Sequence, residues 1–159
     1  MSNLGLERLM AANDMELIRT AVGDRHVAAA MKDDGYNLGG EQSGHMLMPD
    51  YLPTGDGMLA AIQILSVLAT SGQTASRALR VFDPVPQLLV NVRYEGQSPL
   101  NNPEIISAIE QAEKDISGQG RLLIRASGTE PVIRVMAEGD DADKVHEIVH
   151  NLADIIRKA

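Results

Sequence analysis

Arg125, Ser127, Thr129 and Arg134 are the side chains whose types and spacing point most directly to chemistry. They bracket the turn Ser127-Gly128-Thr129-Glu130-Pro131, which joins two runs rich in β-branched and aliphatic residues at 121–126 and 132–138. That pattern predicts a β-hairpin. Setting Ile124 against Val135 brings Leu122 opposite Ala137 and Ala126 opposite Ile133, so that one face is wholly apolar. A slip of one residue would destroy that face. The same register sets Arg125 opposite Arg134 at the mouth of the loop. Like charges paired across strands are destabilising, and an anion seated between them would remove the conflict. The Ser127 and Thr129 hydroxyls and the loop N–H groups would complete an oxyanion cradle, with Gly128 letting a ligand approach the backbone. The competing reading is two solvated arginines, with Glu130 pairing with either of them.

A second cluster lies at Gly39-Gly40-Glu41-Gln42-Ser43-Gly44-His45. Three glycines free the backbone to turn tightly, while Glu41, Gln42, Ser43 and His45 supply acceptors, donors and a titratable ring. In an extended segment Glu41 and Ser43 would share one side, and a carboxylate beside a hydroxyl suits recognition of a polyhydroxylated sugar. The alternative is a glycine-rich turn whose polar groups only satisfy the local backbone.

The string from Arg125 to Arg134 resembles the phosphate-binding loop of the C-terminal domain in the α-D-phosphohexomutase family, and its Ser-Gly-Thr-Glu-Pro form resembles the phosphoglucosamine mutase branch. The string from Gly39 to His45 resembles the sugar-binding loop of the third domain, with Gln42 again in the manner of that branch. Met1-Ser2-Asn3-Leu4-Gly5-Leu6-Glu7, Val22-Gly23-Asp24-Arg25, Thr54-Gly55-Asp56-Gly57 and Leu88-Leu89-Val90-Asn91-Val92-Arg93 extend the resemblance over nearly the whole chain. Ala21 departs from it, standing where several relatives carry a basic residue.

The resemblance implies an isomerase, an intramolecular phosphotransferase that interconverts glucosamine 6-phosphate and glucosamine 1-phosphate through a phosphoserine enzyme and a bisphosphate intermediate. It implies a cytoplasmic setting in amino-sugar metabolism and cell-wall precursor supply, and Mg²⁺ for the full-length enzyme. Arg125, Ser127, Gly128, Thr129 and Arg134 would hold the non-reacting phosphate, and Glu41, Gln42, Ser43 and His45 the sugar. The family's phosphoserine loop and metal loop belong to its first two domains, so the chain is expected to be a C-terminal portion, inactive alone, with no catalytic residue and no bound metal of its own. Its partner is then a small phosphosugar. A non-catalytic phosphosugar- or partner-binding module is the alternative, and a structural domain that takes up sulfate or phosphate incidentally is a third.

The rest of the sequence limits other functions. A formal net charge of −8 argues against a general nucleic-acid or anionic-membrane surface. The absence of cysteine rules out a disulfide framework. The apolar stretch 58–69 is too short and interrupted for a membrane span, and no secretory signal opens the chain. Thr54-Gly55-Asp56-Gly57 reads as a helix start, with Thr54 or Asp56 as cap. Asp33-Asp34 reads as a solvated turn. Asp140, Asp141 and Asp143 favour the N-terminal dipole of the last helix. His146 and His150, one turn apart, lack a third ligand nearby and read as a solvated face.

These loops must be positioned by two units joined at 83–87, where Pro84 and Pro86 make a stiff extended linker. Residues 1–82 predict an incomplete, third-domain-like layered α/β unit that binds sugar, with helices at 5–12, 25–32, 58–70 (buried) and 75–80, and strands at 16–20, into Gly39, and at 45–48. Met10, Met15, Met31, Met46, Met48 and Met58 are expected to fill gaps in a core short of aromatics. Residues 88–159 predict a phosphate-binding α+β domain. In it Leu88, Val90, Val92 and Tyr94 alternate along a strand; Ile105, Ile109, Ala112 and Ile116 stripe a helix ending at Gly118; the hairpin follows; and Val145, Ile148, Val149, Leu152, Ile155 and Ile156 stripe a last helix. The resemblance implies a TATA-binding-protein-like arrangement for this part. It also implies that a strand is missing from the first sheet, whose open edge is expected to pair with a second copy in a homodimer.

Overall fold

A computed structural model describes residues 1–159, and the chain divides into two units, Met1–Asp83 and Pro84–Ala159. In the second unit β3 (Gln87–Arg93), β4 (Gly120–Ala126) and β5 (Val132–Gly139) form an antiparallel sheet in the order β3-β5-β4. The last strand in sequence therefore occupies the centre. Leu88, Val90, Val92, Leu122, Ile124, Ile133, Val135 and Ala137 turn to one face of the sheet. There they meet Ile105, Ala112 and Ile116 of α5 (Pro103–Ile116) and Val145, Ile148, Val149, Leu152, Ala153 and Ile156 of α6 (Ala142–Lys158), whereas Ile155, expected in that stripe, is exposed. The expected α+β layer, with both helices on one sheet face, is what forms.

Local chemistry sets the boundaries of these helices. The Asn102 side chain accepts from Glu104 N at 2.9 Å, and Pro103 opens α5 where its missing N–H costs nothing. Gly118, at φ 76°, turns the chain out of that helix toward β4. The Asp141 carboxylate accepts from the backbone N–H groups of Asp143 and Lys144 at 3.0 and 3.1 Å, so it is the cap of α6. Across the sheet, Gln87, Glu138 and Arg121 form one rung on the face opposite the helices. Glu138 is fully buried there, and its carboxylate accepts from Arg121 Nη2 at 2.6 Å, Arg121 Nε at 2.9 Å and Gln87 Nε2 at 2.8 Å. A buried carboxylate is tolerable only when paired and hydrogen-bonded in this way.

The first unit contains α1 (Leu4–Ala12), α2 (Asp24–Asp34), β1 (Gly39–Gly40), β2 (Met46–Leu47), α3 (Gly57–Ser71) and α4 (Ala75–Ala78). Its only sheet is the two-residue antiparallel ribbon β1–β2, in keeping with the expected incomplete layer. Several expectations fail here. No strand forms at 16–20, because no neighbouring strand is present to fill its N–H and C=O groups. The segment is held instead through Arg19, which ion-pairs with Glu7 and donates from Nη2 to Ser2 O at 3.1 Å.

The helix expected at 58–70 forms, and its cap is Asp56, which accepts from Leu59 N at 2.7 Å. It is not buried, however: no residue of α3 is buried, and Met58 and Leu65 are 74% and 62% exposed. A helix apolar on every side has the sequence of a core helix, yet most of its surface here is open. Met31 and Met48 are buried and Met10 and Met46 half-buried, but Met15 and Met58 are exposed, so the gap-filling role fails for those two. Asp33 and Asp34 are the last residues of α2, not a turn after it. The turn comes at Gly35, whose φ of 77° ends the helix.

Candidate functional site

The hairpin β4–β5 has the register that its apolar face demands: Leu122 pairs with Ala137, Ile124 with Val135 and Ala126 with Ile133. Arg125 then lies directly opposite Arg134, and both side chains project from the face away from the helices. This is set by folding itself. Ile133 and Val135 are fully buried, and the residue between them must point the other way.

The loop is built to present donors. Ser127 N donates to Val132 O at 2.7 Å and Val132 N to Glu130 O at 2.8 Å, which closes the base of the loop. At the tip, Thr129 N and Thr129 Oγ1 each lie 3.5 Å from Ser127 Oγ. At that distance these hydroxyls hold each other weakly and can turn to a ligand. Around Gly128 a Cβ would meet nothing within 4 Å, so the loop backbone faces open space. Glu130 forms no ion pair with either arginine. The reading in which Glu130 neutralises them is therefore not what the structure shows.

Glu41, Gln42, Ser43 and His45 are brought together in the first unit, in a geometry that differs from the expected one. The segment is not extended. Gly44, at φ 97°, closes a turn in which Gly44 N donates to Glu41 O at 3.0 Å, and Glu41 N donates to His45 O at 2.9 Å. The short β1–β2 ribbon imposes this reversal, so strand alternation does not set the side-chain directions. The Glu41 carboxylate instead turns toward α2 and accepts from Gly23 N at 2.9 Å. This satisfies an N–H at the helix N-terminus, where a negative charge is favourable. Ser43 Oγ and His45 Nδ1 are 3.0 Å apart, so the hydroxyl and the ring orient each other on an exposed loop.

A cleft of ≈ 140 Å³ opens beside this loop, lined by Asp24, Arg25, His45, Leu47, Thr54 and Gly55 among others. Asp24, Arg25 and Thr54 are the residues that sequence reasoning did not assign to a site. The available signal was a glycine just before an Asp-Arg pair, and the structure holds that Gly23 at φ 127°, a region that favours glycine. Elsewhere the His146 and His150 rings stack at 4.1 Å, tilted by 40°. No group of three or more His, Cys, Asp or Glu side chains is placed to hold a metal ion, and no helix is long and apolar enough to cross a membrane.

Comparison with known proteins agrees over both units. Residues 1–85 match the family model for phosphoglucomutase/phosphomannomutase, alpha/beta/alpha domain III. Residues 89–155 match the model for the phosphoglucomutase/phosphomannomutase C-terminal domain. The phosphoglucosamine mutase of Novosphingobium aromaticivorans is 57% identical over all 159 residues, which are 36% of that protein. That of Erythrobacter litoralis is 56% identical over the same residues, 35% of its length. The chain thus spans about a third of the relatives that it matches. Among solved structures, Aspergillus fumigatus N-acetylphosphoglucosamine mutase in complex with glucose 1,6-bisphosphate aligns with a TM-score of 0.79 at 20% identity, over 99% of this chain and 37% of that one. The same enzyme in complex with GlcNAc-6P and magnesium aligns with a TM-score of 0.77 at 19% identity, over 98% of this chain and 40% of that one. At such identities the structural likeness speaks for the fold.

Proposed function

This chain belongs to the phosphoglucomutase/phosphomannomutase family, and we propose that it forms the sugar- and phosphate-binding part of a phosphoglucosamine mutase. The observation that carries the reading is the Arg125–Arg134 rung at the mouth of an open Ser-Gly-Thr-Glu-Pro loop. Two arginines set side by side by the core beside a loop of open donors, Arg134 without an ion pair, support a bound anion there. Identity of 53–57% to phosphoglucosamine mutases over the chain supports a glucosamine phosphate as that anion.

In this reading Arg125, Ser127, Gly128, Thr129 and Arg134 hold the non-reacting phosphate through charge-assisted hydrogen bonds. Glu41, Gln42, Ser43 and His45 orient the sugar. Glu41 keeps one carboxylate oxygen on Gly23 N and offers the other to a hydroxyl. In the reaction a phosphoserine gives its phosphoryl group to the sugar phosphate, the resulting bisphosphate reorients, and its other phosphoryl group returns to the serine. The residues of this chain bind and orient, which lowers the entropic barrier, and none of them forms a covalent bond. Mg²⁺ would neutralise charge on the transferring phosphoryl group in the whole enzyme; no group of three or more His, Cys, Asp or Glu side chains of this chain is placed to hold it. Turnover of glucosamine 6-phosphate by the purified chain would contradict this division of labour. The same reading carries a cytoplasmic place in amino-sugar metabolism and cell-wall precursor supply. The open edges of β1–β2 and the exposed apolar surface of α3 support association of copies through the first unit, which sedimentation would test.

The binding test is an amide NMR titration with glucosamine 6-phosphate, with inorganic phosphate and glucose 6-phosphate as controls. The expected result is saturable shifts at Gly128 and Thr129 that Arg134→Ala abolishes, with further shifts at residues 40–44 only for the amino sugar. Unmoved Gly128 and Thr129 signals in a folded hairpin would overturn the reading.

A further inference from the structure

The phosphate site has a third wall. Asn91 of β3 is the cross-strand partner of Arg134, which in turn pairs with Arg125, so Asn91, Arg134 and Arg125 form one straight rung across all three strands. Arg93, two residues further along β3, projects from the same face as Asn91 and lies one step nearer the loop, opposite Val132. The next residue ties this strand end to the loop, since Tyr94 N donates to Pro131 O at 3.2 Å. Diagonal neighbours on one sheet face are about 7–8 Å apart, within reach of an arginine.

Arg93 and Asn91 are both exposed. Arg121, on the same face, is neutralised by the buried Glu138, but neither Arg93 nor Arg134 joins an ion pair or a side-chain hydrogen bond. Three arginines thus converge on one end of one sheet face in a chain of net charge −8. Two cations would balance a phosphate monoester dianion. A third, with a neutral amide beside it, provides donors for an oxygen that the loop side does not face.

We propose that Arg93 and Asn91 are phosphate-positioning residues that complete this site from the β3 side, Arg93 holding a terminal oxygen of a sugar phosphate monoester and Asn91 donating its side-chain amide. The inference rests on the phosphate grip proposed above and extends it to a strand outside the loop. The test follows the Gly128 amide during titration of the 159-residue chain with inorganic phosphate and then with glucosamine 6-phosphate. Arg93→Ala is expected to weaken both ligands about tenfold, the scale of one hydrogen bond to a charged group. Arg93→Lys should recover part of that loss, and Asn91→Ala should weaken binding about threefold. Because both side chains are exposed, the β3–β5 pairing should persist and the melting temperature should not fall. Arg80→Ala, which removes the same charge from an exposed pair with Asp83, serves as control. Wild-type affinity in Arg93→Ala while Arg134→Ala abolishes binding would overturn this inference and leave the grip standing. Equal weakening by Arg80→Ala would also overturn it, by showing a net-charge effect. Failure of the wild-type chain to bind, or unchanged binding in Arg134→Ala, would overturn the grip itself and this inference with it.

Discussion

Arg134→Gln should make the empty protein more stable and the ligand-loaded protein less so. Arg134 stands directly opposite Arg125 with no counter-ion of its own. Like charges directly opposite each other across strands cost roughly 0.2–1 kcal/mol, the scale of Coulomb repulsion between near charges in water. Glutamine keeps the length and polarity of the half-buried side chain and removes the charge. For a unit of this size, about 0.5 kcal/mol moves the melting temperature by roughly 2–4 °C, so the variant should melt higher by that amount in phosphate-free, low-salt buffer. At about 1 M salt, where the screening length falls to ~3 Å, the advantage should vanish.

With ligand the order reverses. A phosphosugar at a hundred times its dissociation constant stabilises the wild type by about 2.7 kcal/mol. If the variant binds about a hundredfold more weakly, as loss of a charged, two-pronged contact implies, the same concentration only half-saturates it and adds ~0.4 kcal/mol. Melting should be followed through the β4 and β5 amide signals, so that the second unit is read by itself, with and without ligand. Crossed melting orders are the expected result. A variant that melts lower in both conditions, or that gains as much from ligand as the wild type, would refute the idea that an anion relieves this rung.

Other perturbations separate scaffold from site. Glu138→Ala would leave the Arg121 guanidinium without its buried partner and should cost about 3–5 kcal/mol in urea unfolding. Ile133→Ala opens a hole in a fully buried position next to Arg134 and should cost about 2–5 kcal/mol by the same measurement. Asp141→Ala removes the cap of α6 and should cost about 1 kcal/mol. Glu41→Ala releases Gly23 N, so the Gly23 amide should exchange faster with solvent while the exchange of β5 stays unchanged.

The hairpin and its arginine rung were legible in the sequence because one strand face must be apolar, and only one register of these two runs achieves that. Position 134 is fixed by its neighbours Ile133 and Val135, not by its own preference. The α5 and α6 stripes were legible for the same reason. What could not be read locally was pairing at a distance. That β3 lies beside β5 and not β4 puts Asn91 next to Arg134, and nothing within residues 87–93 signals it. The strand expected at 16–20 failed because β propensity reports a fit to neighbours that this segment lacks. In α3, composition gave the helix and its start, while its exposure depends on what surrounds it. Around Glu41 the glycines were visible but the turn that they close was not, so the bond of its carboxylate to Gly23 was missed.

Because β5 is at once the central strand, the inner wall of the core and the carrier of Arg134, the grip has no melting of its own. Local opening would have to break both flanking strand pairings, and that is the unfolding of the whole second unit. Loss of anion binding on heating should therefore trace the same curve as loss of structure, without an earlier, partly disabled stage. The consequence for genetics is that substitutions at Val92, Ile105 or Val149, none of which faces a ligand, would be scored in a screen as binding defects. Alleles of the true site would be told apart only by their undiminished protein levels.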